Sequence, residues 1–472
     1  MKNLLQTLAL ALALALQTVP AHAAPELSAE QAQRDLRILK RTLVDLHPGL
    51  YRYATPARID ADFAAAQAEV AAGASRAQLY LLATRLAAAV RCGHTWTNPS
   101  NQTPAVQEML ARQALPLVLR WVEGRILVVA SATPNLPAGS EILAIEGRTP
   151  AEIAALLLPY LRADGSSDGK RLAQLDDDDN GGAMQRMFPL LVPPPPEGWR
   201  LNLAGGREVR VPAVTAAARE QALQAVGWRA PDRTWRLRME GDAAVLTLPT
   251  FAFWGGGFDA PAFLDRTFAE LRERGVRRLV IDLRANEGGD DAIGRALLAQ
   301  LIKTPHTQPG GRRESAYERV PYVLARYLDT WDFGFFDRTG QVQRTEGRNW
   351  RLPDSAPRVV EPVAQPFTGR VVALVGPQNS SAGFLIARDL KASGAAVLVG
   401  EPTGGNLRGL NGGQLAWVTL PASGVAVDVP LLAHFSPGAP PDAGVQPDVL
   451  VRQSWRDLTA GVDTALAEAL KR

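Results

Sequence analysis

Cysteine is almost absent from this 472-residue sequence, and lysine and arginine form no extended run. The single cysteine, Cys92, has no partner for an intramolecular disulfide, and one cysteine is too few for a zinc or iron–sulfur site. The 51 basic and 48 acidic residues give a formal net charge of +3 and are scattered among one another. The sequence therefore lacks the basic stripe that is typical of nucleic-acid-binding proteins.

A long apolar run occurs only at the start of the chain. Residues 4–19 are largely apolar, Lys2 precedes them, and residues 21–23 (AHA) form an A-x-A cleavage signal. A membrane anchor would need a longer span, so the pattern predicts a secretory signal peptide over residues 1–23. We expect an exported protein, periplasmic or extracellular, without a stable membrane anchor.

The rest of the chain has an ordinary globular composition, with 46% hydrophobic and 21% charged residues. The sequence divides into three regions that differ in their predicted secondary structure. Residues 24–112 show helical periodicity, residues 113–230 are rich in short strands, and residues 235–455 alternate strands with helices. Such alternation predicts a mainly parallel sheet packed against helices. An insertion over 305–367 interrupts the third region, and residues 456–472 predict a C-terminal helix.

Several individual elements are recognisable in the sequence. Leucines at helical spacing predict a helix that ends at residues 47–49 (HPG), and residues 123–124 (EG) predict a hairpin turn. Residues 279–283 and 371–375 predict buried strands. The acidic run 176–179 does not have the spacing of an EF-hand loop, which favours a solvated surface over a calcium site.

Two turns follow the two buried strands, at the edge of the sheet where active sites of α/β proteins lie. They are residues 282–289 (DLRANEGG) and 376–383 (GPQNSSAG). A serine at the start of a helix is either an N-cap or a nucleophile beside free amides, and position alone does not decide. The glycine pair is equally open between a tight turn and an oxyanion-binding backbone.

A serine nucleophile needs a base. Only Lys391 and Lys471 follow Ser381; Lys391 lies ten residues further along the same predicted helix, roughly 15 Å away. The number and positions of these lysines therefore disfavour a lysine base close to Ser381 in the sequence. Among the histidines, His47 is typical of a helix end and His306 of a solvated loop, whereas His434 remains open. By position alone His94, which ends a helical region at a glycine, is also more typical of a structural residue.

At these residues the sequence resembles the tail-specific (C-terminal processing) serine peptidases, particularly their tricorn-core-like branch. The resemblance rests on residues 93–95 (GHT), on the turn 282–289, and on residues 380–383 followed by 399–403 (VGEPT). It covers about 235–450 and the segment around His94.

The resemblance implies a role for each matching residue. Ser381 is the nucleophile, with its neighbour Ser380 as the weaker candidate. The amide of Ala382 and one from Gly288 or Gly289 form the oxyanion hole. The bacterial processing branch has a lysine where Asn406 stands here, and the tricorn-like branch uses a histidine base, which points to His94.

This sequence departs from the tricorn-like pattern at two places. Gly93 replaces a serine before the histidine, and Asp442 lies near the family's glutamate but out of register. The group that orients His94 is therefore open between Asp442 and a backbone or water contact.

The resemblance also implies the fold class. We expect an α/β protein with a crotonase/ClpP-like core of repeated β-β-α units as the catalytic domain over 235–455, preceded by a helical domain. Residues 136–147 resemble part of a PDZ module, which makes 113–230 a β-rich, PDZ-like domain or a plain β-domain.

The function expected from these features is that of an exported serine endopeptidase acting on peptides or unfolded protein tails, without a metal or organic cofactor. Two alternatives stay open. One is an inactive peptide- or lipid-binding protein on the same fold, because related folds serve both purposes. The other is an esterase for non-peptide substrates.

Overall fold

The computed structural model describes residues 26–176 and 182–472, which form a mixed α/β fold with several sheets. The signal peptide predicted over 1–23 and most of the acidic run 176–179 lie outside the described residues. Within the described ranges, no helix is long and apolar enough to cross a membrane.

The α-helices, numbered in chain order, are α1 (Ala29–Leu46), α2 (Pro56–Glu69), α3 (Arg76–Ala89), α4 (Pro104–Ala111), α5 (Pro150–Leu157), α6 (Asp168–Ala173), α7 (Ala183–Arg186), α8 (Phe188–Leu191), α9 (Ala216–Ala225), α10 (Ala260–Glu273), α11 (Asp291–Ala299), α12 (Tyr322–Ala325), α13 (Ser381–Ala392), α14 (Trp455–Thr459) and α15 (Thr464–Ala469). Short 3₁₀ helices cover Pro99–Asn101, Leu158–Tyr160 and Phe333–Phe336.

The strands are β1 (Leu117–Val122), β2 (Arg125–Ser131), β3 (Glu141–Ile145), β4 (Trp199–Leu203), β5 (Glu208–Val211), β6 (Arg236–Glu240), β7 (Ala243–Thr247), β8 (Arg278–Asp282), β9 (His306–Gln308), β10 (Gly311–Ser315), β11 (Leu328–Asp329), β12 (Gln343–Arg344), β13 (Trp350–Ser355), β14 (Arg358–Val360), β15 (Arg370–Val375), β16 (Val397–Gly400), β17 (Leu415–Thr419), β18 (Ala426–Pro430), β19 (Ala433–Phe435) and β20 (Val449–Leu450).

The N-terminal helices share a core with strands from the far end of the chain. Helix α1 begins after Ser28, whose side chain accepts a hydrogen bond from the Gln31 amide, and it ends at His47 as the sequence predicts. Its buried residues pack with α2, α3 and the β17–β18 hairpin in one hydrophobic cluster. The helices therefore do not enclose a core of their own.

The middle region forms a five-stranded antiparallel sheet in the order β1-β2-β3-β4-β5. The predicted hairpin is confirmed as β1–β2. Its turn residues Glu123 and Gly124 have φ of 53° and 73°, the positive values of a two-residue turn whose twist matches the strands. Helix α5 contributes to the apolar core on one face of this sheet.

The third region is built on a six-stranded sheet in the order β20-β16-β15-β8-β7-β6. Every neighbouring pair is parallel except β6–β7. Alternate residues of the central strands point to opposite faces, one covered by α10, α11 and α13 and the other by α15. This arrangement brings the carboxyl ends of β8 and β15 side by side.

The insertion over 305–367 is held to the protein by strand pairing. Strand β9 pairs with β14, while β10 pairs with both β13 and β19. Its aromatic residues pack in edge-to-face pairs, Trp331 with Phe335 and Phe333 with Phe336. The insertion is thus a folded attachment with its own strands.

The first testable prediction concerns the joint between α1 and the β17–β18 hairpin. Asp35 is fully buried, and its carboxylate accepts hydrogen bonds from the Ala422 amide and from the amide and hydroxyl of Ser423. We expect Asp35→Ala to lower the free energy of unfolding by about 2–4 kcal/mol, because it leaves buried donors unpaired.

Denaturation by urea would measure this loss. Asp60→Ala is the matched control, since Asp60 forms a surface ion pair with Lys40 and its removal should cost less than about 1 kcal/mol. Equal losses for the two variants would contradict the prediction.

Candidate active site

Two turns meet where β8 and β15 end, because these strands are parallel neighbours. They comprise residues 283–290 and 376–380. Asn379 links them: its side-chain amide donates to the backbone oxygens of Leu283 (2.6 Å) and Asn286 (3.1 Å). The sequence analysis did not identify this contact, although the position of an asparagine directly before the serine pair was a usable signal.

Ser381 is the first residue of α13 and has a φ of +47°. A non-glycine residue seldom adopts this conformation, which is strained and is often found at functional sites. Its side chain is partly exposed and forms no hydrogen bond to any part of the chain that the structure describes. The hydroxyl is therefore free to react.

Ser380, the weaker candidate, has a different environment. It is buried, its hydroxyl donates to the backbone oxygen of Glu287 (3.1 Å), and it accepts from Nζ of Lys170 (3.3 Å). These contacts tie Ser380 into the structure and favour Ser381 as the nucleophile.

Two backbone amides beside Ser381 lack acceptors among the described residues, those of Ala382 and Gly289. The amide of Gly288 is occupied, because it donates to Oδ1 of Asn286 (2.8 Å). The Gly288 oxygen accepts from Phe251 (2.9 Å), and in a trans peptide the next N–H, that of Gly289, points the opposite way. Of the two glycines, the geometry favours Gly289 as the second oxyanion donor.

Gly288 brings the two turns into close contact. A Cβ at this position would lie 2.8 Å from Cβ of Ser381 and 2.9 Å from the Ala382 nitrogen, and its φ is +121°. Both the space and the backbone conformation therefore require glycine here.

His94 lies among charged groups that also surround the turn 283–290. Burial is the main cause that lowers its pKa, and four charged groups modify the effect, two raising and two lowering the pKa: Asp164 and Glu287, and Arg162 and Lys170. The ring is therefore neutral at pH 7, as a general base must be. No hydrogen bond joins His94 to Ser381 in the described ranges.

Lys170 was missed by the sequence analysis, which considered only lysines after the nucleophile. It comes from α6, is 2% exposed, and its Nζ lies 2.9 Å from Oε1 of Glu287 and 3.2 Å from the Gln378 oxygen. Burial acts to raise the pKa of Glu287, but Lys170 and Arg162 outweigh it and lower this pKa to about 2. Lys170 thus binds both turns through an ionised pair.

The two lysines that follow Ser381 in the sequence lie on the surface. Lys391 pairs with Asp448 (2.9 Å) and Lys471 with Glu468 (3.3 Å). Burial lowers the pKa of Lys170, and the Glu287 carboxylate only partly opposes this effect. The Nζ of Lys170 contacts Oγ of Ser380 (3.3 Å), and no hydrogen bond joins it to Ser381 among the described residues. A lysine base for Ser381 is therefore not supported by the geometry.

Asp442 does not lie against His94. Its carboxylate accepts from the amide (2.9 Å) and hydroxyl (3.0 Å) of Ser166 and from the side chain of Asn406 (2.7 Å). The expectation that Asp442 orients the ring is thus not met, because its oxygens are occupied in fixing a loop of the middle region.

The remaining histidines have structural positions. His47 is buried, bonds Thr95 (2.9 Å), and has a pKa lowered to about 3, chiefly by burial. Burial also lowers the pKa of His434, to about 4. His306, expected in a solvated loop, instead lies on β9 with its ring 3.9 Å from Asp389.

No group of three or more His, Cys, Asp or Glu side chains within 26–176 and 182–472 is arranged to hold a metal ion. The predicted independence of cofactors stays a prediction.

Known structures and families give this geometry a context. A crystal structure of a CPAF mutant has a similar fold, with a TM-score of 0.61 and 14% identity over 92% of this chain and 94% of that one. Mature CPAF complexed with lactacystin gives 0.60 and 15% over 94% and 97%. At these identities the likeness shows the fold alone.

Tricorn protease also matches, at 14% identity over 94% of this chain and 36% of that one, but its TM-score of 0.38 is too low to support an assignment to that branch. No curated protein sequence matches this chain. Residues 242–451 match the model of Peptidase family S41, in agreement with the motifs of the two turns. The chain thus carries, over residues 242–451, a domain of Peptidase family S41, the C-terminal processing protease family of serine peptidases.

Proposed function

We propose that this serine peptidase is an exported endopeptidase in which Ser381 is the nucleophile and His94 the general base. One observation carries the proposal: Ser381 has a strained backbone at the start of a helix and packs against the turn of Gly288 and Gly289, and the amides of Ala382 and Gly289 lack acceptors within the described residues. Preorganised donors of this kind stabilise the charge that develops on a carbonyl oxygen during acyl transfer.

The reaction begins when Oγ of Ser381 forms a bond to the carbonyl carbon and its proton passes to Nε2 of His94. The amides of Ala382 and Gly289 stabilise the resulting oxyanion. The C–N bond then breaks, the amine leaves with the proton from His94, and an acyl ester remains on Ser381. A water molecule then gives a proton to His94 while its oxygen forms a bond to the ester carbon. The C–O bond to Ser381 breaks, His94 returns the proton to Oγ, and the carboxylic acid leaves.

His94 must approach Ser381 for the first step. Catalytic hydrogen bonds are often long in empty sites and tighten when substrate binds. Gly412 lies against the His94 ring, because a Cβ at this position would be only 3.3 Å from Nε2. A peptide that enters beside Gly412 would therefore contact the ring and could move it towards Ser381.

The substrates we propose are peptides or unfolded protein tails. Within the described residues, the five-stranded sheet of the middle region supports a PDZ-like role, because modules of that kind capture chain ends by adding a strand to a sheet edge. The six-stranded sheet with its helices supports a crotonase/ClpP-like core. Both finer assignments, and export through the segment 1–23, stay predictions.

A fluorophosphonate probe tests the proposal, because it labels only an activated serine. We expect Ser381→Ala and His94→Ala to lose labelling by at least about a thousandfold. Ser380→Ala is the matched control and should keep most of it. Labelling of the Ser381→Ala variant would contradict the proposal, and a folded wild type that does not label at all would favour a peptide- or lipid-binding protein.

The pH dependence of labelling gives a second prediction. Because burial lowers the pKa of His94 from its ordinary value of 6.5, the base stays neutral into mildly acidic solution. The labelling rate should therefore be level near neutral pH and fall only below about pH 6.5. Rates measured between about pH 4 and pH 8 would show this, whereas a fall centred above about pH 7 would contradict it.

A third prediction separates structure from catalysis at Lys170. Lys170→Met should lower the free energy of unfolding by about 2–4 kcal/mol, because it leaves the half-buried Glu287 without one of its two cationic partners. Adding Glu287→Gln should recover part of the loss. Lys391→Met is the control, with a loss below about 1 kcal/mol.

Thermal unfolding would measure stability, and probe labelling of the folded fraction would measure reactivity. Folded Lys170→Met should still react with the probe. A loss as complete as that of Ser381→Ala would make Lys170 the base.

A further inference from the structure

Asp164 is a buried carboxylate from the middle region that lies beside the proposed base. It is 3% exposed and belongs to the loop before α6. Its Oδ1 accepts a hydrogen bond from the amide of Gly93 (2.8 Å), the residue directly before His94. Its Oδ2 is buried and has no partner in the described part of the chain.

Asp164 also occupies the space in which a side chain at position 93 would stand. A Cβ on Gly93 would lie 2.7 Å from Oδ2 of Asp164 and 3.1 Å from its carboxyl carbon. The glycine that departs from the tricorn-like sequence pattern therefore has a physical reason. The carboxylate takes the position of the serine side chain expected there.

His94 carries the complementary unpaired atom. Its Nδ1 is buried and has no hydrogen-bond partner among the described residues. Buried polar atoms are nearly always paired, and a carboxylate is the usual acceptor for the Nδ1 proton of a catalytic histidine. One hydrogen bond between Nδ1 of His94 and Oδ2 of Asp164 would satisfy both atoms.

We propose that Asp164 is the positioning residue for His94, accepting the Nδ1 proton and leaving Nε2 free to take the proton of Ser381. The inference rests on the proposed function and goes beyond it. The fixed carboxylate selects the tautomer that a base requires and stabilises the imidazolium that forms during the reaction.

The charges around His94 agree with this assignment. Asp164 has the largest charge effect on the ring and raises its pKa against the lowering by burial. The other charged groups that act on the ring come from the same loop, from α6 and from the turn 283–290: Arg162, Lys170 and Glu287.

Asp442 supports the loop that carries Asp164. Its oxygens hold the amide and hydroxyl of Ser166, two residues further on, and its Asn406 partner also donates to the Asp164 backbone oxygen (3.2 Å). Asp442, which the sequence suggested as a residue that orients His94, thus acts on the ring only through the loop that carries Asp164.

Imidazole NMR on the full-length protein tests the pair without requiring activity. The His94 signals can be assigned from their loss in His94→Gln. In the wild type the neutral ring should carry its proton on Nδ1. In Asp164→Asn, which keeps an oxygen for the Gly93 amide, the His94 titration should move to lower pH. In Asp60→Asn, a change at a surface ion pair, the titration should stay in place.

Probe labelling supplies the functional measurement. Asp164→Asn should slow labelling by at least about a hundredfold near neutral pH and move the acid limb of the rate profile to lower pH. Gly93→Ala, which displaces the carboxylate while keeping it in the chain, should have the same effects in weaker form.

A wild-type proton on Nε2, or a His94 titration that Asp164→Asn leaves unchanged, would overturn the inference. The tautomer of His94 in the wild type tests the inference even if the Asp164→Asn variant does not fold. The wild type could carry the Nδ1 proton, and Asp164→Asn could shift the His94 titration, while the wild type never reacts with the probe. That result would refute the proposed peptidase mechanism but leave the His94–Asp164 pair intact.

Discussion

The hydrogen bonds of Asn379 are the constraint on which the site depends. Its side chain is fully buried, and its oxygen accepts from the Gly376 amide (2.8 Å) while its nitrogen reaches across to the neighbouring turn. Parallel strands alone set two turns near each other without fixing their relative height. Asn379 fixes the relative height of the two turns. Ser381 can therefore keep a strained backbone conformation that an isolated turn would relax.

The site is also assembled from parts that are distant in the chain. Arg162 and Lys170 come from the middle region and hold Glu287 in the turn 283–290 (3.1 and 2.9 Å). Arg162 also stacks on Trp96 and donates to the Gly93 backbone. Since a buried ion pair is costly unless every group is satisfied, these contacts specify one arrangement of the regions around the nucleophile.

Local sequence patterns predicted the elements but not the contacts between them. Apolar runs and turn residues correctly indicated β8, β15 and the β1–β2 hairpin, because each depends on neighbouring residues. The sequence identified the two glycines only as a pair, and the hydrogen bond that the Gly288 amide donates to Oδ1 of Asn286 distinguishes them in the structure. Lys170 lies 210 residues before Ser380, on the short helix α6, and Asp164 lies in the loop before that helix. Neither residue belongs to a sequence pattern that indicates its contacts. Asp442 was judged by its place in the sequence, whereas its contacts depend on the path of a loop from another region.

The shared core of α1 and the β17–β18 hairpin has a consequence for how the protein matures. A chain synthesised from its N-terminus has made α1 long before residues 415–430 exist, so this core cannot close until most of the polypeptide is complete. Contacts of such large sequence separation form late and slowly. The helices of the N-terminal region must therefore wait for strands that are synthesised more than 300 residues later before their apolar faces are covered.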